Sequence, residues 1–207
     1  MSQALARKPV TESEYLLLED ESEIRHEFMD GEIFAMAGAS RNHNLANTNI
    51  STELNIQLRE TDCEVYVNDF RVRIREDHNV YPDVAVACGD IQTTDKENAL
   101  LNPVVVFEVL SKSTENRDRG DKAEDYYALP SLQDYILVSQ YRVRVEHFSR
   151  QKNNVWLLKI YEDLDEMIEL DSIKCKISLK MIYLKLKITP LKLVKNKKKN
   201  GKQRGGK

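Results

Sequence analysis

No stretch of the sequence approaches the roughly 20 consecutive apolar residues that a membrane-spanning helix needs. The first residues, MSQALARKPVTESEY, lack the apolar core of a secretory signal. The expectation from both absences is a cytoplasmic protein with no membrane association. Cysteine is scarce: three residues, at 63, 88 and 175, odd in number and without a CxxC pair. Neither a zinc knuckle nor a disulfide framework is indicated, and three buried thiols are expected. Acidic residues are missing altogether beyond Asp171, where 13 of the 31 Lys and Arg lie. The body therefore carries −16 and the tail +13. A body so acidic is poorly suited to hold nucleic acid by charge alone, unless a divalent metal offsets the repulsion locally. The tail, KNKKKNGKQRGGK, is low in complexity and cannot build a core. It reads as a disordered end or as a basic arm for nucleic acid.

Internal repeats and dividing linkers are also absent. With 207 residues and 41% hydrophobic content, the chain can bury one substantial core. We expect a disordered start over residues 1–10, a single domain over 11–184 and the basic tail over 185–207. Thr11 with Glu14 forms a capping-box pattern ahead of a helix. IRHEFMDGEIFAMA then reads as a hairpin closed by Asp30-Gly31, with Glu27 facing Phe34 and Met29 facing Glu32. That register projects Glu27 and Glu32 from one face. Ser40 can cap a helix whose apolar stripe includes Leu45, Ile50, Leu54 and Leu58. CEVYVNDFRVRIRE reads as a half-exposed strand from Phe70 onward. PDVAVAC and PVVVFEVL are continuous apolar runs, as in central strands covered on both faces. A helix capped by Ser113 or Thr114 runs to about Leu129 and stops before Pro130. DYILVSQ, RVRVEHFSR, VWLLKIYE and EMIEL complete the chain as strands. The fold class is α/β with a mixed sheet.

Two carboxylates interrupt this pattern. Asp83 opens one buried strand and Glu108 breaks the apolar run of another. Their separation of 25 positions suffices for a strand, a loop and a return along a neighbour, which would set them side by side. Adjacent carboxylates repel, so one takes a proton or a cation bridges them. A hard cation such as Mg2+ (or Mn2+) prefers oxygen ligands of this kind. Lys122 on the next helix could reach the same place. Two carboxylates, a metal and a lysine form a set suited to phosphodiester hydrolysis. The serines of the intervening loop have no His/Asp pattern that would make them nucleophiles.

These residues carry a resemblance. YPDVAVA followed by PVVVFEVLSKSTENRDRGDKAEDYYALPSLQDYILV resembles the PD-(D/E)XK nuclease superfamily, and more closely a bacterial family of restriction-endonuclease-like proteins. RHEFMDGEIFAMAGASRNHN is similar to that family too, so the likeness spans roughly residues 10 to 180. It implies a restriction-endonuclease-like core: a mixed central sheet flanked by helices, with an N-terminal hairpin. It also implies a Mg2+-dependent endonuclease acting on DNA, with Asp83 and Glu108 as metal ligands. The superfamily places a lysine two residues after the second acid, where this chain has Leu110. Lys122 matches the migrated lysine of the family, and Lys112 in the loop is the alternative. Glu32 matches the glutamate of the family's DGE motif and implies a further metal or water contact; a solvated residue after a tight turn is the other reading. His43 matches a recurring histidine and implies contact with phosphate or support of the site; a packed, hydrogen-bonded histidine is the other reading. A homodimer is implied as an arrangement in which two sites address two strands. The missing lysine motivates an alternative function, an inactive nuclease-fold module that binds nucleic acid or protein.

Overall fold

Local chemistry decides where the elements begin. The Thr11 side chain accepts from the Glu14 amide, and the Glu14 carboxylate accepts from the Thr11 amide, so the capping box opens α1 (Glu12–Glu21). The computed structural model describes residues 9–188 apart from 37, 95 and 97, and the basic tail from 189 on lies outside the described residues. β1 (His26–Met29) and β2 (Glu32–Ala35) form the expected hairpin, in the expected register. Its turn needs left-handed backbone at Asp30 and Gly31, and a Cβ on Gly31 would come within 2.6 Å of Pro9. The Ser40 hydroxyl accepts from the His43 amide and caps α2 (Arg41–Leu58).

Next come β3 (Cys63–Val67), β4 (Arg71–Arg75), β5 (His78–Val80), β6 (Val84–Cys88), β7 (Ala99–Leu100) and β8 (Val105–Leu110). They are followed by α3 (Glu115–Arg119), α4 (Asp121–Ala128), β9 (Asp134–Ser139), β10 (Val145–Arg150) and β11 (Trp156–Tyr161). β12 (Met167–Leu170), β13 (Cys175–Ser178) and α5 (Leu179–Ile182) end the described chain. A six-stranded mixed sheet runs β11-β10-β9-β8-β6-β3, with β8 and β9 parallel. A five-stranded sheet runs β2-β1-β5-β4-β7, and β12-β13 form a separate hairpin.

The larger sheet is covered on both faces, which is why β6 and β8 read as unbroken apolar runs. Val84, Val86, Val105, Phe107 and Val109 pack against Ile50, Leu54 and Leu58 of α2 and against β12-β13. The alternate residues, Ala85, Ala87, Val106 and Leu110, pack against Tyr126 of α4 and Val72, Val80 and Leu100 of the smaller sheet. Burial on this scale is the main favourable term in the fold.

Four expectations need correction. CEVYVNDFRVRIRE, expected as a strand from Phe70 onward, holds two strands in different sheets, β3 as well as β4, separated by a turn with Asn68 at φ 48°. Arg71 and Arg73 are not on a solvated face: Arg71 is buried against Asn98, and Arg73 pairs with Glu12 at 2.9 Å. The single helix expected before Pro130 breaks at Gly120, whose φ −105° and ψ −116° no helix contains. Cys63 and Cys88 are not two buried thiols. They lie directly opposite each other on β3 and β6 and form a disulfide, while Cys175 is buried and free. Cross-strand opposition supplied the proximity that a spacing of 25 residues concealed.

Ordered structure also extends past residue 184. Leu186 and Ile188 pack on the α2 core, and the Asn42 amide exchanges hydrogen bonds with the Lys187 backbone at 2.8 and 3.1 Å. Among the described residues no helix is long and apolar enough to cross a membrane.

Candidate active site

Asp83 sits one residue before β6, and Glu108 lies within β8. These strands are antiparallel neighbours with Val84 paired to Phe107, so one further step along the register brings Asp83 level with Glu108. Asp83 Oδ2 accepts from the Val109 amide at 2.6 Å and stands 3.3 Å from His43 Nε2. Its Oδ1 accepts from Asn47 Nδ2 at 2.7 Å. His43 and Asn47 are one turn apart on α2, so the N-terminal half of that helix holds the Asp83 carboxylate from one side.

Glu108 faces a buried ammonium. Lys122 Nζ lies 2.8 Å from Glu108 Oε1, 2.7 Å from Glu27 Oε1 and 4.0 Å from Asp118 Oδ1. Lys122 is only 2% exposed. The break at Gly120 divides the segment that carries Asp118 and Lys122, yet both side chains turn inward. Glu27 is also held by the Arg117 guanidinium and the Tyr81 amide, and the Tyr126 hydroxyl donates to Glu108 at 3.4 Å. Charges this deeply buried are tolerated because each is paired and hydrogen-bonded. Glu27, His43, Asp83, Glu108, Asp118 and Lys122 all line one cavity of about 690 Å³.

The electrostatics separate the carboxylates. Burial raises the Glu108 carboxyl well above its ordinary value; Asp118, Asp83 and Glu27 add to the rise, and Lys122 only partly opposes it. Burial would raise Glu27 as well, but Lys122 and Arg117 outweigh it and hold Glu27 below its ordinary value. Burial disfavours the Lys122 ammonium, yet Glu108, Glu27 and Asp118 more than compensate and keep it protonated. Desolvation disfavours charged His43, but its hydrogen bond to Asp83 and the charges of Asp83 and Asp118 raise it overall. Four carboxylates thus face two permanent cations, and Glu108 is the acid most ready to take a proton.

This arrangement predicts a pH-dependent penalty. Because the folded carboxyl of Glu108 binds its proton more tightly than the unfolded one, stability falls as pH rises from about 4.5 through the raised value. Glu108→Gln mimics the protonated form. In metal-free buffer it should match the parent near about pH 4 and melt above it near about pH 8. Thermal melts at the two pH values check this.

The donor set fits a hard divalent cation. It consists of oxygen, carries negative charge in excess, and opens on a cavity. Among the described residues, no three His, Cys, Asp or Glu side chains of this cluster bring ligand atoms within 4.8 Å of one another. An ion here would be held by Asp83 and Glu108 with water completing its shell, which suits Mg2+ because it keeps several waters.

Four of the five residues singled out in the sequence come together: Asp83, Glu108, Lys122 and His43. Glu32 does not. It is exposed, pairs with Met29 at the turn end of the hairpin, and lies outside the cavity wall. Lys112 is exposed on the loop at the cavity. Glu27 holds the place within the cavity that Glu32 was expected to take. Its signal was present in HEFM, a carboxylate flanked by apolar strand residues, just as in VVVFEVL. Asn47 carried a weaker signal, a polar residue on the buried stripe of α2. Asp118 was legible only as the helical neighbour of Lys122, and nothing in the sequence marked Arg117.

Comparisons with known proteins bear on the family and the fold. The Uma2 family, described as "Putative restriction endonuclease", matches residues 12–181. Two uncharacterized proteins of Synechocystis sp. are similar over most of the chain. One is 38% identical over 153 residues, 73% of this chain and 86% of the relative. The other is 37% identical over 171 residues, 82% and 89% respectively. A crystal structure of "a putative nuclease belonging to DUF820" from Anabaena variabilis superposes with a TM-score of 0.69 at 18% identity. It covers 84% of this chain and 98% of its own, a likeness of fold.

Proposed function

The chain belongs to the Uma2 family of restriction-endonuclease-like proteins, and from that premise we propose that it is a metal-dependent endonuclease hydrolysing DNA phosphodiester bonds. One observation carries the reading: Asp83 and Glu108 stand level on adjacent strands, beside a buried lysine, at the wall of an open cavity. Asp83 and Glu108 would hold Mg2+ or Mn2+. When bound, such an ion polarises a phosphoryl oxygen and lowers the pKa of a bound water.

The chain's own residues do the rest. Asn47 and the Val109 amide fix the rotamer of Asp83, so its carboxylate is in place before substrate arrives. Lys122 keeps its proton at Nζ and presents positive charge where the pentacovalent phosphorane gains negative charge. Glu27 holds that ammonium at a fixed position. His43 supports Asp83 from the side of α2.

A second reading has an observation in its favour. Lys122 is engaged by both Glu27 and Glu108, and Leu110 occupies the usual lysine position, as a module that binds without cleaving would allow. Incubation of the protein with supercoiled plasmid DNA in Mg2+, Mn2+ or chelator separates the two. Nicking that requires metal supports the endonuclease. Metal binding by calorimetry without cleavage of DNA, or no metal binding at all, favours the module.

A further inference from the structure

Tyr141 is the only exposed aromatic residue among the described residues. Its side chain is 43% exposed, while every other Phe, Tyr and Trp is buried or half-buried. It lines the cavity that holds Asp83 and Glu108. Its place is fixed from several sides. The hydroxyl accepts from the Lys112 amide at 3.2 Å, and the Tyr141 amide donates to Ser139 Oγ at 3.3 Å. The preceding residue, Gln140, is buried: its Nε2 donates to the Leu110 carbonyl at 2.9 Å, and its own carbonyl accepts from Asn42 Nδ2 at 3.1 Å. Leu110 ends β8, two residues beyond Glu108. The ring is thus a flat π-face held in place beside the carboxylates, with little freedom left to lose when something covers it.

Charge on the same wall narrows the occupant. Three permanent cations line the cavity: Lys112, Arg117 and Lys122. Glu27 holds Arg117, and Glu27 with Glu108 holds Lys122. Of the three, only the exposed Lys112 has no carboxylate partner among the described residues. Apolar surface shares the wall through Phe34 and Met36, the latter 37% exposed. Gripping duplex DNA by charge takes several phosphate contacts, and one free cation is too few. Stacking on an aromatic ring needs no charge, but it needs a base whose face is free. In a duplex those faces already stack on one another; an unpaired base offers one. Building on the endonuclease reading, which supplies DNA as the ligand, we propose that the cavity takes DNA at an unpaired base, in a single strand, flap or loop. The base stacks on Tyr141, and the adjoining phosphodiester turns toward Asp83 and Glu108. Lys112 neutralises one phosphate at the rim. Every base has a π-face, so the site selects unpaired structure and little sequence.

Fluorescence anisotropy of the full chain with a labelled single strand and with the matching duplex tests this. Ca2+ stands in for Mg2+, and the recovered strand is checked for length. Salt at about 0.3 M weakens charge-driven binding through the basic tail. The single strand should bind more tightly than the duplex by roughly tenfold or more. Tyr141→Ala, at an exposed position, should keep its circular dichroism spectrum and bind the single strand roughly 5- to 150-fold more weakly, the range for loss of one stacking aromatic. Tyr141→Phe keeps the ring without the hydroxyl and should stay within about threefold of the parent. A duplex bound as tightly as the single strand would overturn the proposal, as would parental binding by Tyr141→Ala. Equal losses in Tyr141→Ala and Tyr141→Phe would also overturn it, because the hydroxyl would then act by anchoring the Lys112 loop and the ring would not matter. Cleavage in Mg2+ that treats single strand and duplex alike would overturn it and leave the endonuclease reading intact. Tyr141-dependent binding of the single strand without cleavage would support the base site and count against the endonuclease.

Discussion

Lys122→Met should destabilise the protein by about 3 to 5 kcal/mol, the usual cost of removing one partner from a buried ion pair. The lysine stands 2.7 Å from Glu27 and 2.8 Å from Glu108, with Asp118 at 4.0 Å. Methionine fills the volume but leaves those carboxylates with Arg117 as their one remaining permanent cation. Glu108 and Asp118 would then take up protons at higher pH than in the parent, as each raised carboxyl already tends to do. Chemical denaturation at neutral pH measures the loss. Lowering the pH toward the carboxylate range should restore part of it, because protonation removes the repulsion. Lys122→Met combined with Glu27→Gln, which leaves the proposed metal ligand Glu108 in place, should recover part of the stability while remaining inactive. That outcome would separate the structural role of the lysine from its catalytic one.

Asp83→Asn should leave folding nearly untouched and remove cleavage. The isosteric amide can still accept from the Val109 amide, and its own N–H has a partner waiting. Asn47 Oδ1 is buried without a hydrogen-bond partner, and a flip of the Asn47 amide lets it accept from the new side chain, in exchange for its hydrogen bond to Asn68 Oδ1. The expected stability change is therefore below about 1 kcal/mol. The loss of one of two anionic metal ligands is different in kind. It weakens the site's hold on Mg2+ and removes several kcal/mol of transition-state charge stabilisation, so cleavage should fall by roughly a thousandfold or more. His43 should lose its elevated pKa in the same variant, because the Asp83 contact is what raises it above the desolvation penalty. Proton resonances of the imidazole followed through titration would register that change.

Much of the site was legible because buried carboxylates are conspicuous. Asp83 and Glu108 stood out as charges inside continuous apolar runs, and a buried charge needs a partner. The hairpin register was legible from Asp-Gly and the flanking strand residues, and it placed Glu27 opposite Phe34. What periodicity could not resolve was depth along the strand. Glu27 and Glu32 share a face, but Glu32 sits at the solvent end of the hairpin while Glu27 sits under α3 and α4. The helix break at Gly120 was hidden because helical periodicity continues through ENRDRGDKAEDYY, and one glycine is tolerated in many helices. The Cys63–Cys88 bond was hidden because the pairing of β3 with β6 is a tertiary fact. The division of Phe70 to Arg75 from the strand before it depended on Asn68 accepting left-handed backbone, which a single residue only suggests.

The most direct test is cleavage of supercoiled plasmid by the parent, Asp83→Asn and Glu32→Gln, each with Mg2+ and with chelator. The structure predicts metal-dependent nicking by the parent, the same activity in Glu32→Gln, and loss of roughly a thousandfold in Asp83→Asn. Cleavage by Asp83→Asn at the parental rate, or equal cleavage in chelator, would contradict the assignment of the Asp83–Glu108 cavity as the active site.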